Sequence, residues 1–307
     1  MGYHAGPPMD LDSTGVPTST GHSVPALVTA DWLASRLDDS GVRIADVRWY
    51  LPHLGRNGRA EYEAGHIPGA VFVDLDSELA GPPGSGPGRH PIPPSETFGA
   101  AMSRAGIASR THVVAYDDSG GAVAARLWWL LRYYGHERAS VLDGGLATWR
   151  AGGHSERVAV PAFAPANFAA RPHPERTVGK EAVDRLRRDP GAVVLDARAT
   201  ERYEGRLEPV DARPGHVPGA KSAPYAENLA TTAPVFLSSD ALRDRYEQLG
   251  VSADKTVVAY CGSGVTACHT LLALHLAGYR DALLYEGSWS EWSKDPSLPA
   301  AMGPSDE

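Results

Sequence analysis

Two kinds of hydrophobic pattern alternate along the chain. Short apolar runs rich in β-branched residues predict strands, and longer segments with apolar residues at helical spacing, such as 127–131 and 271–274, predict helices. Strands that alternate with helices are typical of a parallel sheet built from βαβ units. We therefore predict an α/β, doubly wound fold in which central parallel sheets are flanked by helices. The predicted strands are 42–47, 111–116, 140–142, 192–195, 256–260 and 282–285.

This pattern is repeated in the two halves of the chain. The motif Gly-His-Ile-Pro-Gly-Ala at 65–70 recurs 150 positions later as Gly-His-Val-Pro-Gly-Ala at 215–220. At the same offset, Asp-Val-Arg at 46–48 recurs as Asp-Ala-Arg at 196–198. Later matches have smaller offsets, which indicates an extra segment in the first half, and the Gly- and Pro-rich residues 81–88 are the candidate. The chain is thus predicted to be a tandem duplication of one domain.

Composition sets the predicted boundaries of the two copies. Residues 1–23 are rich in Gly, Pro, Ser and Thr without periodicity, so we expect them to be disordered. The first domain is predicted at 24–155 and the second at 176–295, joined by a Pro-containing linker at 156–175 that should act as a stiff spacer. Residues 296–307 contain three prolines and are expected to form a tail as weakly held as the N-terminal segment.

Size and charge narrow the classes of function. The 307 residues suffice for two domains with their own cores. A net charge of −8 provides no basic surface for a nucleic acid. No apolar run reaches the roughly 18 residues that span a bilayer, and the N-terminus lacks the features of a secretory signal. The only cysteines, Cys261 and Cys268, are expected to be thiols in a reducing compartment, which predicts a cytoplasmic location.

The candidate chemistry follows the predicted strand 256–260. Cys261 leaves the strand, and Gly-Ser-Gly-Val-Thr at 262–266 leads into the next helix. Open α/β sheets bind ligands at the carboxyl ends of their strands. The backbone N–H groups of such a loop and the helix N-terminus both stabilise an anion, and so favour the thiolate of Cys261. A buried packing role is the alternative for Cys261 and the preferred interpretation for Cys268.

Other cysteine chemistries fit the sequence less well. The corresponding loop of the first half has Asp117 in place of the cysteine, so only the second half is predicted to be catalytic. A cysteine phosphatase would need an arginine six residues after the nucleophile, where this chain has Ala267. Neither a papain-like arrangement nor a Cys-x-x-Cys motif occurs. The sequence shows no metal-ligand cluster, dinucleotide fingerprint or phosphate-binding loop, and therefore predicts no cofactor.

These motifs resemble those of a known family. The Asp-x-Arg and Gly-His-(Ile/Val)-Pro-Gly-Ala sequences, with a cysteine loop in the second half alone, are similar to the tandem-domain rhodanese sulfurtransferases over about residues 24–294. The resemblance implies two rhodanese-like domains in which Cys261 takes sulfur from a small donor, holds it as a persulfide and passes it to cyanide or a thiol. A protein could also accept the sulfur. A sulfur-carrier or docking module without small-molecule turnover is the more distant alternative.

The resemblance also implies roles for individual residues. Arg202 matches an arginine that binds the anionic group of the donor. Ser263 and His66 match a serine and a histidine that relay protons in the 3-mercaptopyruvate branch, although Asn57 stands where that branch has an aspartate. His66 and His216 occupy equivalent positions, which also allows a structural role for both. The resemblance implies a substrate-binding loop made of Gly262, Gly264, Val265 and Thr266.

Charge in the loop bears on the sulfur donor. Thiosulfate enzymes typically carry basic residues just after the cysteine, whereas Cys-Gly-Ser-Gly-Val-Thr resembles the 3-mercaptopyruvate sulfurtransferases, as do residues 49–52 and 54–56. Because Gly262 and its neighbour are neutral, we favour 3-mercaptopyruvate and keep thiosulfate:cyanide transfer as the alternative. A second arginine of the mercaptopyruvate branch has no match, and Arg206 and Arg213 are candidates to replace it.

Overall fold

Two parallel sheets of five strands each form the centre of the computed structural model, which describes residues 24–304. The first contains β1 (Leu27–Val28), β2 (Val42–Asp46), β3 (Ala70–Phe72), β4 (His112–Tyr116) and β5 (Ala139–Leu142) in the order β1-β5-β4-β2-β3. The second contains β6 (Thr177–Val178), β7 (Ala192–Asp196), β8 (Lys221–Ser222), β9 (Thr256–Tyr260) and β10 (Leu283–Tyr285) in the order β6-β10-β9-β7-β8. The two orders correspond strand by strand, so the predicted duplication and the doubly wound α/β fold are confirmed.

Helices cover both sheets. In the first half they are α1 (Ala30–Ala34), α2 (Gly58–Ala64), α3 (Leu75–Glu78), α4 (Ser95–Arg104), α5 (Ala124–Tyr133) and α6 (Gly145–Ala151). In the second half they are α7 (Lys180–Leu186), α8 (Thr200–Tyr203), α9 (Ser239–Gln248), α10 (Thr266–Ala277) and α11 (Ser288–Trp292). Short 3₁₀ turns occur at Pro52–Leu54, Pro174–Arg176 and Tyr225–Asn228.

The central strands are those that the sequence predicted, and the edge strands are those that it missed. β4 is buried over its whole length, because helices cover both faces and its residues form a continuous apolar run. The same holds for β9 after its first residue. The edge strands β1, β3, β6 and β8 have only two or three residues each, too few to show a pattern in the sequence.

The two domains share an apolar interface. α5 and α10 pack against each other, and one continuous core includes Trp128 and Leu131 of the first domain together with Leu271 and Leu274 of the second. α10 is buried over most of its circumference, as expected of a helix that is apolar all round. The cleft above this interface is therefore bounded by two domains that are held together by a common core.

The predicted linker packs onto the first domain. The ring of Phe168, which is buried, lies 5.7 Å from the ring of Phe98 and 5.6 Å from that of His136. The guanidinium carbon of Arg43 lies 3.3 Å from the centre of the Phe163 ring. Residues 156–175 are thus a layer on the first domain rather than a free spacer.

The C-terminal tail differs from the prediction where it is described. The N-terminal segment 1–23 and residues 305–307 lie outside the described residues. The described part of the tail is attached to the second domain, since Ala301 and His216 exchange two backbone hydrogen bonds and Trp292 Nε1 donates to the Pro299 carbonyl at 2.7 Å. Between residues 24 and 304, none of the helices has the length and apolar character needed to cross a membrane.

Candidate active site

The thiol of Cys261 lies in a tight turn between β9 and α10. Trp289 N donates to the Cys261 carbonyl and Ser290 N to the Gly262 carbonyl, both at 2.9 Å, so these carbonyls are held by α11. Gly264 N donates to Cys261 Sγ at 3.1 Å. A glycine is required at 264 because its φ is +82° and a Cβ would lie 2.8 Å from the Glu286 carbonyl oxygen. The sequence therefore folds here into a turn that directs a backbone N–H at the sulfur.

The equivalent turn of the first domain shows what such a loop binds. Asp117 occupies the position of the cysteine, and its carboxylate accepts four backbone hydrogen bonds of 2.8–2.9 Å, two on each oxygen. The loop thus directs four N–H donors at the oxygens of this side chain, and these bonds oppose the rise in the pKa of Asp117 that its burial causes. In the second domain the sulfur of Cys261 takes the place of that carboxylate. A thiol occupies this turn in the second domain only.

The two cysteines have different environments. Cys268 lies on α10 and is fully buried, and its Sγ donates to the Gly264 carbonyl at 3.3 Å. Burial raises the pKa of Cys268 to about 12. Cys261 is also buried, with 2% of its surface exposed, but it lines a cavity of about 340 Å³ between the domains. Among residues 24–304, no three His, Cys, Asp or Glu side chains are grouped so that they could hold a metal ion.

Most of the predicted site residues meet in this cavity. Cys261, Gly262, Ser263, Val265 and Thr266 line it on one side, together with Arg202 from α8. Gly264 supports the turn behind the thiol. The opposite wall comes from the first domain and includes Trp49, Tyr50, Leu51, Leu54, Arg56, Arg89, His90 and Asp118. The site is therefore complete only when both domains are present.

His66 is the predicted site residue that the structure places elsewhere. It is fully buried, its Nδ1 lies 2.7 Å from the Tyr62 carbonyl oxygen and its Nε2 lies 3.2 Å from that of Ala159. Its ring stacks on Tyr62 with centroids 4.0 Å apart, and His216 stacks on Tyr203 in the same way at 3.7 Å. The histidine of the repeated motif thus fixes its own turn in both domains. The prediction of proton transfer by His66 is corrected on this ground.

The histidine beside the cysteine loop is His90, which no pattern in the sequence had indicated. His90 Nδ1 lies 2.7 Å from Ser263 Oγ, and its Nε2 lies 3.5 Å from Asp76 Oδ1. The contact with His90, followed by a hydrogen bond from Trp49 Nε1, holds the pKa of Asp76 below its usual range. Asn57 has a different role, since its Oδ1 caps α2 at Ala60 N. The only signal for His90 was its place just after the extra segment 81–88.

Two arginines approach the loop from different domains. Arg202 Nη2 donates to Glu208 at 2.8 Å and to Asp211 at 2.9 Å. Arg89 Nη1 donates to the other oxygen of Asp211 at 2.7 Å. A Cβ placed on Gly262 would lie 3.4 Å from Arg202 Nη1 and 3.3 Å from Arg89 Nη2. Two positively charged guanidinium groups therefore lie next to the cysteine loop.

The two arginines suggested by the sequence as a second anion-binding group are used elsewhere. Arg206 is exposed and pairs with Glu204. Arg213 donates to the backbone carbonyls of four residues in 292–298 and so fixes the C-terminal segment. Neither residue lines the cavity that contains Cys261.

Three polar side chains of the first domain form a hydrogen-bonding network in the wall of the cavity. Tyr50 Oη donates to Asp118 at 2.7 Å, and Arg56 Nη2 donates to the same oxygen at 2.9 Å while its guanidinium carbon lies 3.8 Å from the centre of the Tyr50 ring. Burial, and then the bond to Asp118, raise the pKa of Tyr50 well above its usual range. The phenol is therefore a neutral hydrogen-bonding group at the entrance.

Comparison with known proteins agrees with this geometry. The family model of the rhodanese-like domain matches residues 29–152 and 179–295. The chain belongs to the rhodanese family. It is 41% identical to a Pseudomonas aeruginosa protein named "Probable 3-mercaptopyruvate sulfurtransferase", over 90% of this chain and 98% of the relative. It is 35% identical to the mitochondrial thiosulfate/3-mercaptopyruvate sulfurtransferase 1 of Arabidopsis thaliana, over 94% of this chain and 83% of the relative.

The crystal structure of Escherichia coli SseA, described as that of a 3-mercaptopyruvate sulfotransferase, superposes with a TM-score of 0.78. The two sequences are 36% identical, and the match covers 87% of this chain and 100% of the SseA chain. The fold and the sulfurtransferase class implied by the resemblance are thus confirmed. The protein is a sulfurtransferase with two rhodanese-like domains.

Proposed function

We propose that this protein transfers sulfur from 3-mercaptopyruvate to a thiol or to cyanide through a persulfide on Cys261. The observation that carries the proposal is the cavity in which the glycine-flanked thiol, the Ser263–His90 pair and two arginines converge. The size of about 340 Å³ suits a small donor. The names of the relatives support a donor of this class.

The first half-reaction follows from the placement of the thiol. The Cys261 thiolate attacks the donor sulfur, an S–S bond forms, and the C–S bond of the donor breaks. The bonding electron pair stays on carbon 3, giving the enolate of pyruvate. The donor thiol releases one proton and the enolate takes up one, so the step balances. Gly264 N–H, which already bonds the sulfur, stabilises the charge that remains on the persulfide.

Proton movement is assigned to the Ser263–His90 pair. The 2.7 Å contact allows a proton to pass between Ser263 Oγ and His90 Nδ1, and Asp76 orients the ring from its other nitrogen. In the second half-reaction, cyanide or a thiolate attacks the outer sulfur of the persulfide. The S–S bond breaks and its electrons return to Cys261 as a thiolate. A thiol on a protein acceptor would receive the sulfur by the same step.

The decisive experiment compares two cysteine variants. Cys261→Ser removes the nucleophile and should abolish thiocyanate formation from cyanide with every donor. Cys268→Ser is the matched control, because a hydroxyl can make the same bond to the Gly264 carbonyl, and it should retain turnover. Mass spectrometry of the donor-treated protein should show one added sulfur in the control and none in Cys261→Ser. Sulfur transfer by Cys261→Ser at more than a trace would contradict the proposal.

Thiosulfate is the second candidate donor, and one observation favours it. The loop itself is neutral, but Arg89 of the first domain brings a guanidinium to Gly262, where thiosulfate enzymes typically carry a basic residue. The test is the ratio of kcat/KM for 3-mercaptopyruvate and thiosulfate with cyanide as the acceptor. A large preference for thiosulfate would overturn the assignment of the donor and leave the role of Cys261 intact.

A further inference from the structure

The anion-binding part of the cavity crosses the domain boundary. Asp211 has its side chain 2% exposed and lies between the two arginines, with Oδ1 bonded to Arg89 Nη1 and Oδ2 to Arg202 Nη2. These bonds use one terminal nitrogen of each guanidinium. The other two, Arg89 Nη2 and Arg202 Nη1, are the ones nearest Gly262. Asp211 therefore holds both guanidinium groups in an orientation that leaves one terminal nitrogen of each directed at the loop.

We propose that Arg89 is a donor-binding residue, so that the donor carboxylate is bound between Arg89 of the first domain and Arg202 of the second. This inference rests on the proposed function, because it concerns the donor of the same reaction. Two N–H donors from separate guanidinium groups suit the two oxygens of a carboxylate. The absence of a side chain at Gly262 leaves the space for it, since a Cβ there would already contact both arginines.

Arg89 is held in place by the second domain before any donor binds. Its backbone N donates to Ser290 Oγ at 3.0 Å, and the preceding Gly88 is so close to α11 that a Cβ would lie 2.5 Å from the Gly287 carbonyl oxygen. The following residue is His90, which contacts Ser263. The residues on both sides of Arg89 thus contact the second domain, so little conformational entropy is lost when the donor binds.

Charge balance favours a monoanion at this position. The positive charges of Arg89 and Arg202 face the negative charges of Asp211 and Glu208. Burial would raise the pKa of Glu208, but the hydrogen bonds from Arg202 and from the backbone of Asp211 lower it, so the carboxylate is ionised. Because the cluster is balanced without a ligand, a monocarboxylate adds one negative charge and thiosulfate adds two. The two arginines would attract either anion, and it is their pairing with Asp211 and Glu208 that favours the single charge of 3-mercaptopyruvate over the two charges of thiosulfate.

The first test is steady-state kinetics with saturating cyanide. Arg89→Ala should raise KM for 3-mercaptopyruvate about 10- to 100-fold, the effect of losing a charged hydrogen bond, while kcat changes by less than about threefold. Arg89→Lys should recover only part of the loss, because it restores the charge without the fork. Arg206→Ala is the control, since Arg206 lies outside the cavity and pairs with Glu204. Asp211→Asn should shift the kcat/KM ratio towards thiosulfate.

The second test does not depend on sulfur transfer. Iodoacetate and iodoacetamide alkylate a thiol by the same reaction but differ in charge. In the unmodified protein the anionic reagent should be favoured, and Arg89→Ala should lower its rate about tenfold relative to that of the neutral reagent. An unchanged reagent ratio together with an unchanged KM would overturn the inference while the proposed function stands. A changed ratio without turnover on either donor would uphold the anion site and overturn the proposed function.

Discussion

His90 Nδ1 lies 2.7 Å from Ser263 Oγ, although the two residues belong to different domains and are 173 positions apart. The contact joins a segment without regular structure in the first domain to the cysteine loop of the second. The pair to which we assign proton transfer therefore forms only because the two domains pack together. Variants of either domain should therefore change the chemistry at Cys261.

Replacing the two histidines should separate chemistry from stability. His90→Ala should lower kcat for 3-mercaptopyruvate about 10²- to 10⁴-fold, the range for a lost acid–base group. His66→Ala should leave kcat near its original value and lower the free energy of unfolding by about 1–3 kcal/mol, because it leaves a buried carbonyl unpaired. Steady-state kinetics and urea unfolding on both variants check this. A loss of kcat confined to His66→Ala would restore the sequence-based assignment.

The turn at Gly264 should tolerate no side chain. Gly264→Ala places a Cβ 2.8 Å from the Glu286 carbonyl oxygen, so the loop must move and the bond from Gly264 N to the thiol is disturbed. Gly84 is the matched control, because its φ of +81° is nearly the same but nothing lies within 4 Å of the added Cβ. Gly84→Ala should cost only the backbone strain, about 1–2 kcal/mol, and keep activity. Thiocyanate formation and thermal unfolding distinguish the two.

Arg126 should hold the two domains in register. It is fully buried on α5 and donates to the carbonyls of Leu79, His90 and Gly264 at 3.0–3.3 Å. Arg126→Leu should lower the free energy of unfolding by at least about 2 kcal/mol, since buried carbonyls lose their donor. It should also lower kcat by displacing both the histidine segment and the cysteine loop.

Arg104 at the end of α4 is the control for Arg126, because its side chain is 62% exposed and pairs with Glu78 at the surface. Arg104→Leu should cost less than about 1 kcal/mol, as for an exposed ion pair. Equal losses in the two variants would show that Arg126 has no special role at the interface. Urea unfolding and turnover of both proteins provide the comparison.

Acidification should destabilise the protein through its buried histidines. Burial lowers the pKa of His112, His269 and His275 to about 4 each. Above about pH 6.5, the pKa of histidine in the unfolded chain, these residues are neutral in both states and cost no stability. As the pH falls towards 4, the unfolded chain takes up protons and the folded protein does not, so the free energy of unfolding decreases. The buried His112 and His269 should each account for roughly 1–2 kcal/mol between pH 6.5 and 5, and the half-buried His275 for less.

The histidine prediction can be checked by urea unfolding at the two pH values. His269→Asn should lower the stability at pH 6.5 and reduce its pH dependence, because the buried titrating group is gone. His53→Gln, at an exposed position, should leave the pH dependence unchanged. A pH dependence that is identical in His269→Asn and the unmodified protein would contradict this account.

Much of the molecule followed from local patterns in the sequence. The repeated Gly-His-x-Pro-Gly-Ala motif indicated the duplication, and the apolar runs that became β4 and β9 indicated the parallel sheets. Cys261 stood out because strand, glycine turn and helix are consecutive in the chain. These features depend on interactions between residues that are near neighbours in sequence. They can therefore be recognised from a single sequence.

The remainder of the site was decided by tertiary structure. His90 and Arg89 lie just after a Gly- and Pro-rich insertion that has no counterpart in the second half, so neither periodicity nor the repeat pointed to them. Their places beside Ser263 and Gly262 arise because the shared core of α5 and α10 brings the domains together. The sequence by itself determined the duplicated fold and the position of the proposed nucleophile, which rest on short-range patterns. Only the packing of the two domains selected the histidine and the second arginine, because contacts over more than 170 positions leave no local trace in the chain.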